Sequence, residues 1–561
     1  MQLKGAQILV RSLIDQGVEI VFGYPGGTVL NIYDALYEYR DEIPHIVTSH
    51  EQGATHAADG YARSTGRTGV VVATSGPGAT NLVTGLATAF HDSVPLVAVT
   101  ANVAMDLIGR DSFQEVDIVG VTNPVVKHNY LVKDAAELAG VVREAFVIAN
   151  SGRKGPVLID IPKNVTAELA EYTPLPRFTP RPAAPPREDE LQAAAAAIAA
   201  SKRPLIYAGG GVNYTDATES LRAFAEKIHA PVCNSMLGLG TMPAGSPLFL
   251  GMIGMHGTAT ANMAALNCDL LIAVGARFSD RVAGNRQQFA ADAAIIHIDI
   301  DPSEICKNVE ADLPVIGEAR ECLEKLTAMV PPGKRPDWVH KLLHHKVHNA
   351  LPIASSQKEG DVNPREIIQK LRQVVGEDAL IVTDVGQHQM YTAQYYPFTR
   401  PRSFITSAGL GTMGFGMGAA VGVKYGSPDR NVALITGDGC FHMNMAELAV
   451  AVSNDLPVVV LVFNNGVLGM VHQWQRLFYG SRYAYTEINR KTDYKLLAEA
   501  FGALGFRIEK PEDILPVLTQ AVASGRPCVV DCIIDQSQRV FPIIPPGGSG
   551  TDMIFSDESD Q

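Results

Sequence analysis

The chain has 561 residues, of which 46% are hydrophobic and 19% charged, with 51 glycines and 34 prolines. That length and balance exclude a disordered or fibrous protein and one ordinary core, and point to about three α/β domains of roughly 150–200 residues. A formal charge of −13, from 46 basic and 59 acidic residues without a long basic run, argues against nucleic acid or another polyanion as a partner.

From the N-terminus, QLKGAQILVRSLIDQGV spaces its charges like an amphipathic helix, and no apolar run approaches 18 residues. The expectation is a soluble, cytoplasmic protein with no membrane partner. GVEIVFGYPGG, TGVVVATSGPG, VPLVAVTAN and GPVLIDIPKN then alternate apolar runs with helical patterns, which predicts a parallel sheet covered by helices on both faces. IVTSHEQGATHAADGYA places Glu51 at a strand end, just before a helix of small residues. Taken singly, a carboxylate there usually only complements the helix dipole. The proline-dense TPLPRFTPRPAAPPR can be neither helix nor central strand, so the first domain is placed at residues 1–172 and a linker at 173–189.

RPLIYAGGGV, CDLLIAVGARF and AIIHIDIDP repeat the rhythm in a central domain, residues 190–335, followed by a polar, His-rich linker at 336–360. DALIVTDVG, NVALITGDG and LPVVVLVFNN supply the third domain, residues 361–546, before a tail at 547–561. The predicted fold class is α/β, three doubly wound domains, each a mainly parallel sheet flanked by helices. The seven cysteines include no CxxC pair and read as reduced core residues, Cys528 and Cys532 on a buried strand.

Between Gly437-Asp438-Gly439 and Asn464-Asn465 the sequence predicts a helix, roughly 444–454, and a strand, 457–463. A helix followed by a strand is a crossover, so Asp438 and Asn465 return to neighbouring strand ends on one rim. Mg²⁺ takes oxygen ligands from one or two side chains plus ligand phosphates, and the glycines let a phosphate approach the backbone. GDG alone is a common turn; the crossover and NN give it weight.

These motifs resemble the cofactor site of thiamine-diphosphate enzymes. The chain from Lys4 to about Pro546 is similar to the catalytic subunits of the acetohydroxyacid synthases, through VFGYPGG, SHEQGATHAADGYAR, SGPGATN, IGRDSFQE, KHNYLV, GPVLIDIPK, GMHGT, GARFSDR, DVGQHQM, GDG, NN and GMVHQWQ in the family's order. The resemblance implies decarboxylation of pyruvate and ligation to a second 2-ketoacid, pyruvate or 2-ketobutyrate, in branched-chain amino-acid biosynthesis. It implies Mg²⁺ on Asp438, Asn465 and the Val467 carbonyl. Val385, Gly386, Gln387 and His388 would cradle the diphosphate, where His388 by itself could be a solvated loop histidine, and Gly437, Gly439, Gly469 and Met470 would complete that rim. Tyr24, Pro25, Gly26, Pro77 and Asn81 would surround the aminopyrimidine ring, whose imino form Glu51 would favour. Met413, with Gly411 beside it, would support the bent cofactor, although a packed core methionine has the same signature.

Phe113, Gln114, Lys127 and Trp474 match substrate-pocket positions, although a lone Trp is more often core. For a non-redox FAD the matching residues are Arg153, Gly209, Gly210, Gly211, Ser235, Met236, Leu237, Met255, His256, Gly257, Gly275, Arg277, Arg281, Asp299, Ile300 and Asp312. Glycine-rich strand ends alone are a weaker signal, since no GxGxxG is present. The resemblance further implies a homodimer or homotetramer, active sites shared between subunits, and a separate small regulatory subunit.

The chain departs from the family pattern at Ala101-Asn102, Arg110 and Ser279, positions that bear on substrate preference and inhibitor sensitivity. The nearest alternative is another thiamine-diphosphate and FAD enzyme such as a pyruvate oxidase. Glu51 argues against a glyoxylate carboligase, and a nicotinamide or flavin dehydrogenase leaves GDG with NN unexplained.

Overall fold

Apolar runs without a polar face become strands covered on both sides. In the computed structural model, which describes residues 1–349, 360–488 and 491–556, strands Leu96–Asn102 and Pro156–Pro162 are buried along their whole length. The described residues form three six-stranded parallel sheets, each flanked by helices, and one short antiparallel pair, Gln2–Lys4 with Leu169–Glu171.

The first sheet runs, in spatial order, His45–Val47, Val21–Gly23, Gly69–Ala73, Leu96–Asn102, Pro156–Pro162, His128–Leu131. The central one runs Phe249–Met252, Val232–Asn234, Pro204–Ala208, Leu270–Val274, Ala294–Asp299, Leu313–Ile316. In the third the order is Phe404–Thr406, Leu380–Thr383, Val432–Gly437, Val458–Asn464, Cys528–Ile533, Leu504–Ile508. In each, the chain first builds to one side of an inner strand and then to the other. Ligands of open α/β sheets sit in the crevice at that reversal, beyond the strands' carboxyl ends. The reversals lie between Val21–Gly23 and Gly69–Ala73, between Pro204–Ala208 and Leu270–Val274, and between Leu380–Thr383 and Val432–Gly437. YPGG and SGPG, GGG and GARF, and DVGQH and GDG are the segments that leave these three pairs of strands.

The first and third sheets share one apolar cluster, centred on helices Glu51–Thr65 and Phe415–Gly426. Small residues let the two backbones touch: a Cβ on Gly422 would run into the carbonyl of Ala57, and one on Gly60 into that of Ala419. The third and central sheets share another cluster.

Four expectations need correction. Residues 336–348, placed in a linker, form the helix Pro336–His348. Its face of Trp338, Val339 and Leu342 is buried, the Trp338 indole donates to the Pro204 carbonyl at 3.0 Å, and His345 bonds the Thr260 hydroxyl at 2.9 Å, so of its histidines only His340, His344 and His348 mark its outer side. The rest of that linker, 350–359, lies outside the described residues. The helix expected at 444–454 starts at Asp438 and is interrupted by a 3₁₀ turn, Met445–Glu447, before Leu448–Ser453. The tail expected at 547–561 is docked at its start: the Gly548 carbonyl accepts the Asn285 amide at 3.1 Å and Ile543 pairs with Ile554, while 557–561 lie outside the described residues. Cys306 is exposed, unlike the other six cysteines.

Candidate active site

At the third reversal the two rim loops meet as the crossover requires. Val432–Gly437 pairs with Val458–Asn464, Gly437 opposite Phe463. The Asp438 carboxylate accepts its neighbour Gly439 amide at 2.8 Å through Oδ1 and the Gly466 amide at 2.9 Å through Oδ2. Asn465 Oδ1 accepts the Val467 amide at 3.2 Å, and Asn465 Nδ2 donates to Gln387 Oε1 at 3.4 Å. Gln387 is in turn fixed by donating to Gln473 Oε1 at 3.0 Å and to the Gln538 carbonyl at 3.1 Å. Three strand ends thus place Asp438, Asn465 and Gln387 around one point. A Cβ on Gly469 would strike Gln387 Oε1, which is why the next helix must open with glycine.

The ring of His388 lies against Gly386 and Gly437. Burial lowers its pKa to about 3, so it is neutral at working pH, and its buried Nε2 has no hydrogen-bond partner. A buried polar atom of this kind calls for a partner. The glycine-lined rim, one carboxylate, one amide and this ring nitrogen fit Mg²⁺ with a diphosphate. Val467 is itself buried, and its carbonyl belongs to the same turn.

On the first domain's rim Glu51, 9% exposed, begins its helix and accepts the Asn81 amide at 2.9 Å. Gly26 abuts Thr74, while Gly78 sits between Thr74 and Glu51. The Tyr24 amide donates to the Val72 carbonyl at 3.3 Å, keeping Tyr24-Pro25-Gly26 beside Pro77 and Asn81. Gln114, with a positive φ of 60°, packs on Gly76 of the same rim. Phe113 is 87% exposed.

A cavity of about 770 Å³ lies where the three domains meet, with Asp92, Ser93 and residues 152–154 of the first domain on its wall. Arg153, Gly210, Gly211, Ser235, Met236, Leu237, Met255, His256, Gly275, Arg277, Arg281, Asp299 and Ile300 line it together with Val385, Gly386, Gly411, Met413, Met470 and Trp474. Arg277 donates to the His91 carbonyl at 2.6 Å, and the Arg281 guanidinium lies 5.5 Å from the Trp474 ring centre. His256 Nδ1 and Trp474 Nε1 are buried without partners. Arginines, glycine-rich turns and orphaned donors fit a phosphate-bearing aromatic ligand such as a flavin dinucleotide. Gly209 and Gly257 are adjacent but do not line the cavity.

Two expected site residues make structural contacts within this chain. Asp312 accepts the amide of Ile295 at 2.8 Å, at the opposite end of Ala294–Asp299 from Asp299, where it serves the strand edge. Lys127 donates through Nζ to the carbonyls of Ile148 and Ser151, at the carboxyl end of helix Leu138–Asn150. A lysine there satisfies the last carbonyls and the dipole, and burial lowers its pKa to about 8.

Glu447 was missed. It is 1% exposed and accepts the amides of Ser49 at 3.2 Å and His50 at 3.0 Å, so a third-domain carboxylate braces the entry to the Glu51 helix. An acidic residue inside the apolar stretch MAELAVAV was its only signal. Burial, opposed by the two amides, raises its pKa from 4.5 to about 7. The folded chain then holds a proton that the unfolded chain has lost, so this group's contribution to stability is full below pH 4.5 and vanishes as pH rises through 7. Relative to wild type, Glu447→Gln should therefore gain unfolding midpoint as pH goes from 5 to 8. A difference that stays constant across that range, read by thermal unfolding, would count against the assignment.

Family models match in three blocks: the thiamine pyrophosphate enzyme N-terminal TPP binding domain at 3–121, the central domain at 191–326, and the C-terminal TPP binding domain at 384–532. The chain is 45% identical to a probable acetolactate synthase large subunit of Methanocaldococcus jannaschii, over 98% of this chain and 95% of that protein. It is 45% identical to an acetolactate synthase of Mycobacterium leprae, over 100% and 93%. With acetolactate synthase isozyme 3 large subunit of Escherichia coli the identity is 42%, over 99% of both.

Proposed function

The chain belongs to the acetolactate synthases, a family of thiamine pyrophosphate enzymes, and from that premise we propose how its rims divide the work. It decarboxylates pyruvate and joins the remaining two-carbon unit to a second 2-ketoacid; pyruvate oxidase activity is not favoured. Thiamine diphosphate, when bound, supplies the electron sink that this decarboxylation needs. Asp438, the Asn465 side chain and the Val467 carbonyl hold Mg²⁺, with His388, Gln387 and the glycines of both loops around the diphosphate. The observation that carries this assignment is the Asp438 bond to Gly466, which ties the two rim loops together beside Asn465.

Glu51 holds a proton against the aminopyrimidine ring, in a shielded position where a charged hydrogen bond is strong. Within one chain the Glu51 helix abuts Glu447, at the far end of the segment that Asp438 opens, and Glu51 does not line the cavity containing Met413. Exposed Leu30, Val47, Phe113 and Met443 surround these rims, and apolar patches of that kind mark subunit contacts. Both facts support a dimer in which Glu51 comes from a second copy. Several relatives are named large subunits, which supports a small regulatory partner here. FAD occupies the central cavity in a structural role, and the products feed valine and isoleucine synthesis.

The test is a product assay with thiamine diphosphate and Mg²⁺, first on pyruvate alone and then with 2-ketobutyrate, scoring acetolactate and acetohydroxybutyrate. Formation of neither would overturn the activity. Trp474 sets the width of the cavity beside Met470, and the fit of one methylene is worth 10- to 200-fold in discrimination. Trp474→Leu should lower the acetohydroxybutyrate to acetolactate ratio about tenfold in a mixed-substrate assay. An unchanged ratio would return Trp474 to a packing role.

A further inference from the structure

Met413 lies at the end of a loop whose two ends are held by carboxylates from different domains. On its carboxyl side Asp384, a third-domain residue, accepts the Gly414 amide at 2.7 Å and the Thr436 hydroxyl at 2.9 Å. On the amino side the holder is Asp92, the last residue of first-domain helix Val83–Asp92. Asp92 Oδ1 accepts the Gly409 amide at 2.7 Å and Oδ2 accepts the Ala408 amide at 3.0 Å. The buried Arg63 guanidinium orients that carboxylate. It donates to Asp92 Oδ2 at 2.9 Å, to Asp59, and to the Thr406 carbonyl at 2.8 Å, the residue that ends the preceding strand. One turn earlier on the same helix, the Thr88 hydroxyl meets that of Thr412 at 2.7 Å.

We propose that Asp92, oriented by Arg63 and assisted by Thr88, is a positioning residue that sets the height of Met413 under the cofactor. This rests on the assignment of Met413 as the side chain supporting a bent thiamine diphosphate. The geometry excludes a purely local role for the loop. Gln389 holds the Ser407 carbonyl and the Ser407 hydroxyl accepts the Thr412 amide, but the acceptor of the 408 and 409 amides among the described residues is Asp92, so that part of the loop follows the first domain's helix. A rigid supporting contact needs its own support, since a displacement near 1 Å costs up to 10²-fold in rate. The same helix end carries the His91 carbonyl that receives Arg277 from the cavity wall, so one helix terminus registers both the loop and the central domain.

The experiment compares wild type, Asp92→Ala and Thr88→Val as full-length proteins, measuring kcat, KM for pyruvate, the half-saturating thiamine diphosphate concentration and the thermal midpoint. Asp92→Ala should raise the half-saturating concentration and lower kcat, each by about tenfold, with KM for pyruvate near wild type. A soluble Asp92→Ala chain that loses midpoint yet keeps wild-type kcat and half-saturation would overturn the proposal, because a mere interdomain staple behaves so. Should Asp92→Ala not fold, Thr88→Val decides. It removes one hydroxyl contact and should still raise the half-saturating concentration about threefold, whereas wild-type values there would overturn the proposal. A wild-type chain that binds no thiamine diphosphate would sink the assignment of the site, and this proposal with it.

Discussion

Glu51→Gln should leave a folded chain that forms acetolactate about 10²- to 10⁴-fold more slowly at saturating thiamine diphosphate, the range spanned by losing one positioned acid–base group. The substitution keeps the shape of the side chain and its acceptor for Asn81, so packing is preserved while the negative charge goes. What is lost is the charged hydrogen bond that would hold the ring's proton. The stability cost is small, about 0.3–1 kcal/mol for one charge at a helix N-terminus. The measurements are steady-state kcat, the unfolding midpoint, and hydrogen–deuterium exchange at the thiazolium carbon followed by NMR. A kcat within threefold of wild type would remove Glu51 from the chemistry. Mixing Glu51→Gln with an Asp438 variant offers a second readout: if the site is shared between copies, heterodimers regain one intact site.

The sequence made the three sheets legible because parallel strands are apolar on both faces, and their ends are marked by YPGG, GGG, GARF, DVG and GDG. These segments follow the strands that flank each reversal of order, so periodicity located the rims where a ligand would bind. What stayed hidden were interactions between domains. Asp92 looks like an ordinary helix-terminal residue in AFHDSVP, and Glu447 like a surface charge on a helix; only the approach of another domain's amides buries them. The contacts that Asp312 and Lys127 make within the chain were hidden for a related reason. A motif match fixes a residue's place in the chain, but the end of a strand or the terminus of a helix that it faces depends on packing. The linker expectation failed over 336–348 because the helix there buries only Trp338, Val339 and Leu342 among lysines and histidines, enough to dock it but too few to announce it.

Asp438 carries two burdens, and this predicts the other large effect. Its Oδ2 holds the Gly466 amide, and its Oδ1 the Gly439 amide, so Asp438→Ala removes both the proposed anionic ligand for Mg²⁺ and the tie that brings Asn465 to the same point. Loss of even an outer partner of a bound metal costs 10- to 100-fold, and loss of the charged ligand with its loop tie should cost at least ~10²-fold in activity, beyond recovery by excess Mg²⁺. Asp438→Asn keeps an acceptor but not the charge, and should fall between. Stability provides an independent readout. A ligand at 100 times its Kd raises folding stability by about 2.7 kcal/mol, so wild type should show a higher unfolding midpoint with thiamine diphosphate and Mg²⁺ together, reversed by chelation. In Asp438→Ala that increment should be absent, because the oxygen set offered to the cation is then incomplete. An Asp438→Ala chain with the full ligand-induced shift would place the metal elsewhere and with it the orientation of the diphosphate.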